Sequence, residues 1–200
     1  MIKDLFRYCD DIGMFASDRP INDVGSVKGS CDHRTSFCDE DCYNVKLYRM
    51  YPNMGKRDER CEHEWQQVSG DAVRLYLSRK KKQTERARHM TRGEAIKDLP
   101  DVYRVKEIAL ATPETVWWVP TRAWRNTLLR ELIQIELFPI ANIALNASLD
   151  PSNTQEEEDS LIDDGWNIMY FGDDTKYAGK GEAFKCPKTW KKLSGHCAVC

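Results

Sequence analysis

The segment Thr115-Val116-Trp117-Trp118-Val119 decides the fold class of this chain. Its five residues are all β-branched or aromatic, which predicts a buried β-strand. The other elements predicted from residue 85 onward are, in chain order, a strand at 86–90, a helix at 101–111, a helix at 125–137, and strands at 140–145 and 166–171. This alternation of strands and helices is typical of βαβ units and predicts a parallel sheet.

The predicted fold class is α/β, with either a partial, truncated barrel or a small open parallel sheet. A chain of 200 residues is too short for the eight βα units of a complete barrel. We expect a single domain over 1–200, made of an irregular cysteine-bearing segment (1–56), an α/β core (57–175) and a cysteine-bearing tail (176–200). Within the core, helical sequence over 58–82 is interrupted near Ser69-Gly70, and 151–164 is predicted as an acidic loop.

Charge and hydropathy exclude some classes of partner. The formal net charge is −2, and the basic stretch Arg79–Lys82 is offset by the acidic stretch Glu156–Asp159, so a nucleic-acid partner is not expected. No apolar run approaches the roughly 18 residues that a membrane span needs, and the N-terminal residues do not resemble a signal peptide. We therefore expect a cytoplasmic protein with no membrane partner.

Six of the eight cysteines fall into two groups. The first group is Cys31-x6-Cys38-x3-Cys42, and the second is Cys186-x10-Cys197-x2-Cys200. In a reducing cytoplasm such groups indicate metal ligands, because disulfides are rare there. The remaining two, Cys9 and Cys61, are expected to be buried thiols.

The spacing favours an iron–sulfur cluster. Zinc sites use paired C-x2-C knuckles, and only Cys197–Cys200 has that form. Three unevenly spaced cysteines suit the corners of a [4Fe–4S] cluster, so Cys31, Cys38 and Cys42 are the predicted core ligands, with zinc as the alternative metal. The fourth ligand would come from the tail or be a small molecule. In another arrangement each group would hold its own cluster.

Residues that follow the predicted strands are the other site candidates, because ligands of such sheets bind beyond the carboxyl ends of the strands. They include Arg92, Gly93 and Glu94 after one strand and Arg122 after the next. The Arg122 guanidinium could bind a carboxylate or a phosphate. His89, at the end of its predicted strand, is a further candidate for a catalytic role.

Three stretches together carry a resemblance to a known family. They are His33-Arg34-Thr35-Ser36-Phe37-Cys38-Asp39-Glu40-Asp41-Cys42-Tyr43 preceded by Cys31, the block from Arg88 to Glu94 continued by Trp117 to Arg125, and the tail with Cys186, Cys197 and Cys200. These stretches resemble a family of phage-encoded, cysteine-rich proteins without an assigned reaction. That family is distantly similar to the radical S-adenosylmethionine (SAM) enzymes.

The resemblance implies a more specific chemistry. Three cysteines of a radical SAM enzyme hold the cluster, SAM binds the open iron, and a Gly-Gly-Glu motif contacts its amino group; Arg92-Gly93-Glu94 would be the counterpart here. The cysteine spacing differs, with x6 and x3 in place of x3 and x2. A radical or redox enzyme would act on a small-molecule substrate in the cytoplasm of the phage's host. A non-enzymatic, metal-stapled module that binds a host protein is the alternative.

Overall fold

A six-stranded open sheet forms the centre of the computed structural model, which describes residues 2–171. The strands, which lie in the sheet in chain order, are β1 (Phe6–Cys9), β2 (Met14–Ser17), β3 (Arg86–Arg88), β4 (Val116–Thr121), β5 (Ile143–Leu149) and β6 (Asn167–Tyr170). The first two strands are antiparallel and each later pair is parallel. The sheet does not close, so the α/β prediction is confirmed in its open-sheet form.

Helices connect and flank the strands. They are α1 (Ser36–Asp41), α2 (Tyr43–Met50), α3 (Asn53–Gln67), α4 (Gly70–Ser78), α5 (Leu99–Ala111), α6 (Thr127–Glu136) and α7 (Gln155–Asp163), with a single 3-10 turn at Ala123–Arg125. The predicted break between α3 and α4 is confirmed, and the Ser69 hydroxyl caps α4. Asp98 caps α5, so this helix begins two residues before the predicted Asp101. Along residues 2–171 no helix is both long enough and apolar enough to cross a membrane.

Two regions are more regular than predicted. Residues 1–56, predicted as irregular apart from short strands near 12–16, contain β1, β2, α1 and α2. These elements are four to eight residues long, too short for a clear hydrophobic period. The predicted acidic loop at 151–164 is wrong, because α7 forms there. The side chains of Thr154 and Glu157 make a capping box, and the acidic first turn suits the helix dipole.

The core lies between one face of the sheet and helices α3 to α6. Trp117 and Val119 of β4 are fully buried, whereas Trp118 between them is only half-buried on the opposite face. From the helices, Ile108 and Ile133 are fully buried in the same core. Because strands β2 to β6 are parallel, the segments that follow them meet along one side of the sheet. This side is formed by the carboxyl ends of the strands, and we call it the carboxyl edge.

A buried ion network ties the carboxyl edge to the helices. The fully buried Arg19, two residues beyond β2, places Nε 2.6 Å from Glu62 Oε2 on α3 and Nη1 2.7 Å from Asp101 Oδ2 on α5. Burial by itself would lower the pKa of Arg19, but the two carboxylates raise it overall. The guanidinium therefore stays charged and holds the two helices against the chain that leaves β2.

We predict that Arg19→Met lowers the free energy of unfolding by about 3–5 kcal/mol, because Glu62 and Asp101 would remain buried without their shared cation. Denaturant titration followed by tryptophan fluorescence measures this loss. The matched control is Arg74→Met on α4, which breaks an exposed pair with Asp71 and should cost less than about 1 kcal/mol. Equal losses in the two variants would contradict the prediction.

Candidate functional site

Of the first group of cysteines, Cys31 lies in the loop before α1, Cys38 on α1, and Cys42 directly after it. The Thr35 hydroxyl caps this helix by accepting the Cys38 N–H at 3.3 Å. Cys38 and Cys42 are four residues apart, and the Cys42 N–H donates to the Cys38 carbonyl at 3.2 Å, so both project from one side of the helical turn. All three, Cys31 included, are half-buried, and none is in a disulfide with another described residue.

The groups that influence the pKa of the Cys31 thiol show which side chains lie near it. Burial, which is the largest cause, and the negative charges of Glu94, Cys42 and Cys38 together raise the pKa of the Cys31 thiol to about 12. Cys31 therefore lies near the other two predicted ligands and near Glu94. Within residues 2–171, no group of three His, Cys, Asp or Glu side chains has a geometry that could hold a metal ion. The second group, Cys186, Cys197 and Cys200, lies outside the described residues.

A chain of contacts anchors α1 to the sheet. The Thr35 hydroxyl donates to Asp150 Oδ2 at 2.6 Å, and Arg122 pairs with the same oxygen. Burial by itself would raise the pKa of Asp150, but hydrogen bonds from Ser152 and Thr35 and the Arg122 charge lower it overall. Asp150 follows β5, and the only sign of it in the sequence was that it lies in the polar segment beyond the predicted strand at 140–145. Arg122, predicted as a site residue whose guanidinium could bind a carboxylate or a phosphate, pairs here with the carboxylate of Asp150.

The predicted Arg92-Gly93-Glu94 motif lies at the same edge. The buried Glu94 carboxylate accepts backbone N–H groups of Arg122 at 2.8 Å and Ile96 at 3.3 Å, and burial raises its pKa. Gly93 has φ +76°, and a Cβ there would lie 2.6 Å from the Arg19 carbonyl oxygen, so only glycine fits.

The first residue of the motif has a different environment. Arg92 Nη2 lies 3.0 Å from Asp18 Oδ2 and 2.7 Å from Asp58 Oδ1. Its guanidinium is therefore engaged by carboxylates of the protein itself.

His89 is fully buried in the core. Its ring stacks on Trp117, with centroids 4.3 Å apart, and meets the edge of Trp65. Neither ring nitrogen has a hydrogen-bond partner among residues 2–171. Because burial disfavours the charged imidazolium, the pKa of His89 falls to about 3.

Comparison with known families identifies the chain at the family level. A family model described as Gene product 88 matches residues 17–194. The chain belongs to the Gene product 88 family. This confirms the coarser part of the predicted resemblance, a phage-type family, whereas the match bears neither on cysteine richness nor on radical SAM similarity. No curated protein and no solved structure matches the chain.

The matched region of this Gene product 88 protein contains the candidate site described above. Residues 17–194 include Cys31, Cys38 and Cys42, the Gly93 turn, and the Arg122–Asp150 pair. The family description, Gene product 88, names no reaction.

We predict that the buried His89 makes this Gene product 88 protein less stable in acid. The pKa of His89 is about 3 in the folded protein, whereas the ordinary value, which applies to the unfolded chain, is 6.5. The unfolded chain therefore binds the proton more readily. The free energy of unfolding should therefore fall by up to about 1.4 kcal/mol per pH unit as the pH drops from 6.5 toward 3.

Denaturant titrations at several pH values should give a shallower slope for His89→Leu than for the wild type. His63→Leu, at an exposed position on α3, is the matched control and should keep the wild-type slope. A wild-type slope in His89→Leu would show that this imidazole does not titrate on unfolding.

Proposed function

We propose that this Gene product 88 protein binds a [4Fe–4S] cluster through Cys31, Cys38 and Cys42 and uses it in redox or radical chemistry. One observation carries the proposal: three thiols that form no disulfide within the described chain lie near one another at the carboxyl edge of a parallel sheet. This edge is where sheets of this class bind their ligands.

The donor set suits iron. Thiolates are the ligands of iron–sulfur clusters, and two of these three project from one helical turn. Cys31 has a raised pKa and keeps its proton at neutral pH in the absence of metal. Ligation would replace that proton, as metal binding to a thiol requires, and would draw the three sulfur atoms closer together.

The surrounding residues would orient and restrict the cluster. The Thr35–Asp150–Arg122 contacts hold α1 at the ends of β4 and β5. Glu94, buried beside Cys31, can hold a proton or bind a cationic group. A cluster bound there would supply electron transfer, while these residues set its position and its contact with solvent.

The number of cysteine ligands would distinguish a catalytic cluster from a metal site that only stabilises the fold. Three thiolates leave one iron open to a substrate or to SAM. A fourth, from Cys186, Cys197 or Cys200, would close the cluster and favour a structural role. The three tail cysteines remain candidate ligands on the sequence alone.

Anaerobic purification with iron and sulfide analysis tests the cluster. Wild-type protein should carry about four irons and four sulfides and absorb broadly in the visible range. Cys31→Ser, Cys38→Ser and Cys42→Ser should each lose most of that iron. The matched control is Cys9→Ser, since Cys9 pairs with Met14 at the opposite edge of the sheet.

Two results would overturn the cluster proposal. One is a colourless protein with stoichiometric zinc, which would leave the metal-stapled module. The other is an iron content that none of the three serine substitutions lowers.

The resemblance to radical SAM enzymes supports a narrower proposal, in which SAM binds beside Glu94. Calorimetry on the reconstituted protein should detect SAM binding, and Glu94→Gln should weaken it about 10-fold, because a carboxylate–ammonium contact is lost. Glu85→Gln, at an exposed position before β3, should bind as the wild type does. Absence of binding to the wild type would remove SAM chemistry and leave the cluster proposal standing.

A further inference from the structure

A cavity of about 540 Å³ opens beside the loop that carries Cys31. Its volume is in the range of small-molecule sites. The lining residues that matter are Lys28, Gly29, Cys31, Asp32, Arg34 and Lys97. The cavity therefore reaches from the loop before α1 to the segment that precedes α5.

One ion pair in this lining shapes the loop. Lys28 Nζ lies 2.5 Å from Asp23 Oδ2, and Asp23 Oδ1 accepts the Gly29 N–H at 3.0 Å. The hydrogen bond from Lys28 and that from Gly29 together lower the pKa of Asp23, which keeps it ionised. The charges of Lys28 and Asp23 therefore cancel, and the other side chains decide the charge of the cavity.

Lys97 offers a cation whose position is fixed. Its Nζ donates to the Gly29 carbonyl at 2.8 Å, and its side chain is 21% exposed. The nearest carboxylate oxygen, Asp32 Oδ2, is 3.4 Å away on a side chain that is 57% exposed. An ion pair this long and this exposed contributes little to the stability of the fold. The Asp32 side chain can therefore turn toward solvent at a small cost in free energy.

Arg34 supplies a second cation. Its Nη1 donates to Asn22 Oδ1 at 2.7 Å, which orients the guanidinium at the cavity wall. Its contact with Asp39, at 3.2 Å, joins two half-exposed side chains and is easily replaced. The planar guanidinium matches the two oxygens of a carboxylate or phosphate group.

We propose that this cavity binds an anionic small molecule through Lys97 and Arg34. A carboxylate or phosphate group would lie between the two cations and displace Asp32, and the rest of the ligand would extend toward Cys31. The inference goes beyond the proposed function, because anion binding here needs no cluster. If Cys31 does ligate iron, the bound anion lies next to the metal and is a candidate substrate.

Titration of the metal-free full-length protein at low ionic strength tests the site, with inorganic phosphate and succinate as the two probes. Chemical-shift changes in the amides of 28–34 and 97 should saturate with at least one probe, and the stronger probe identifies the preferred anionic group. Lys97→Met and Arg34→Met should each weaken binding about 10-fold or more. Asp32→Asn should tighten it several-fold, because a competing carboxylate is removed.

The matched control is Arg74→Met, which removes an exposed arginine paired with Asp71 on α4 and should leave binding unchanged. Failure of both probes to bind the wild type overturns the proposal, as does equal weakening in the control. Weaker binding in Asp32→Asn also overturns it, since the carboxylate would then be part of the site. The cluster proposal is tested separately by the iron content, and its outcome does not depend on the result of this titration.

Discussion

Arg92 lies between two buried carboxylates, and the carboxyl edge of the sheet is organised around that contact. Asp18 follows β2, Asp58 belongs to α3, and Arg92 follows β3. Burial by itself would raise the pKa of Asp18, but the charges of Arg92 and Arg7 lower it overall, so Asp18 stays ionised. Because a buried charge is tolerated only when it is paired, these three segments have to meet.

The candidate site is built directly on this network. Gly93 follows Arg92 and passes close to Ser30, and the Glu94 N–H donates to Ser30 Oγ at 2.9 Å. Ser30 precedes Cys31, so the ion network determines where the first cysteine lies. On the other side, the Asp150 contacts hold α1. The chain around Cys31 and α1 is thus fixed at two points.

The two proposals share one residue, Cys31. Cys31 lies near Glu94, Cys38 and Cys42, and it also lines the cavity together with Lys97. A molecule held in that cavity would have a thiol, or an iron bound to it, within reach. This arrangement would let one short loop connect substrate binding to the cluster.

The sequence by itself determined the parallel α/β sheet, the helices α3 to α6 and the grouping of the cysteines. These features depend on local signals, namely apolar strands such as Val116–Thr121, helical periodicity and spacing along the chain. Only the tertiary structure decided that Arg92 and Arg122 pair with carboxylates of the protein, that His89 is enclosed in the core, and that Glu94 lies beside Cys31. Those outcomes depend on contacts between residues far apart in the chain, which burial and charge pairing select and which no local pattern encodes.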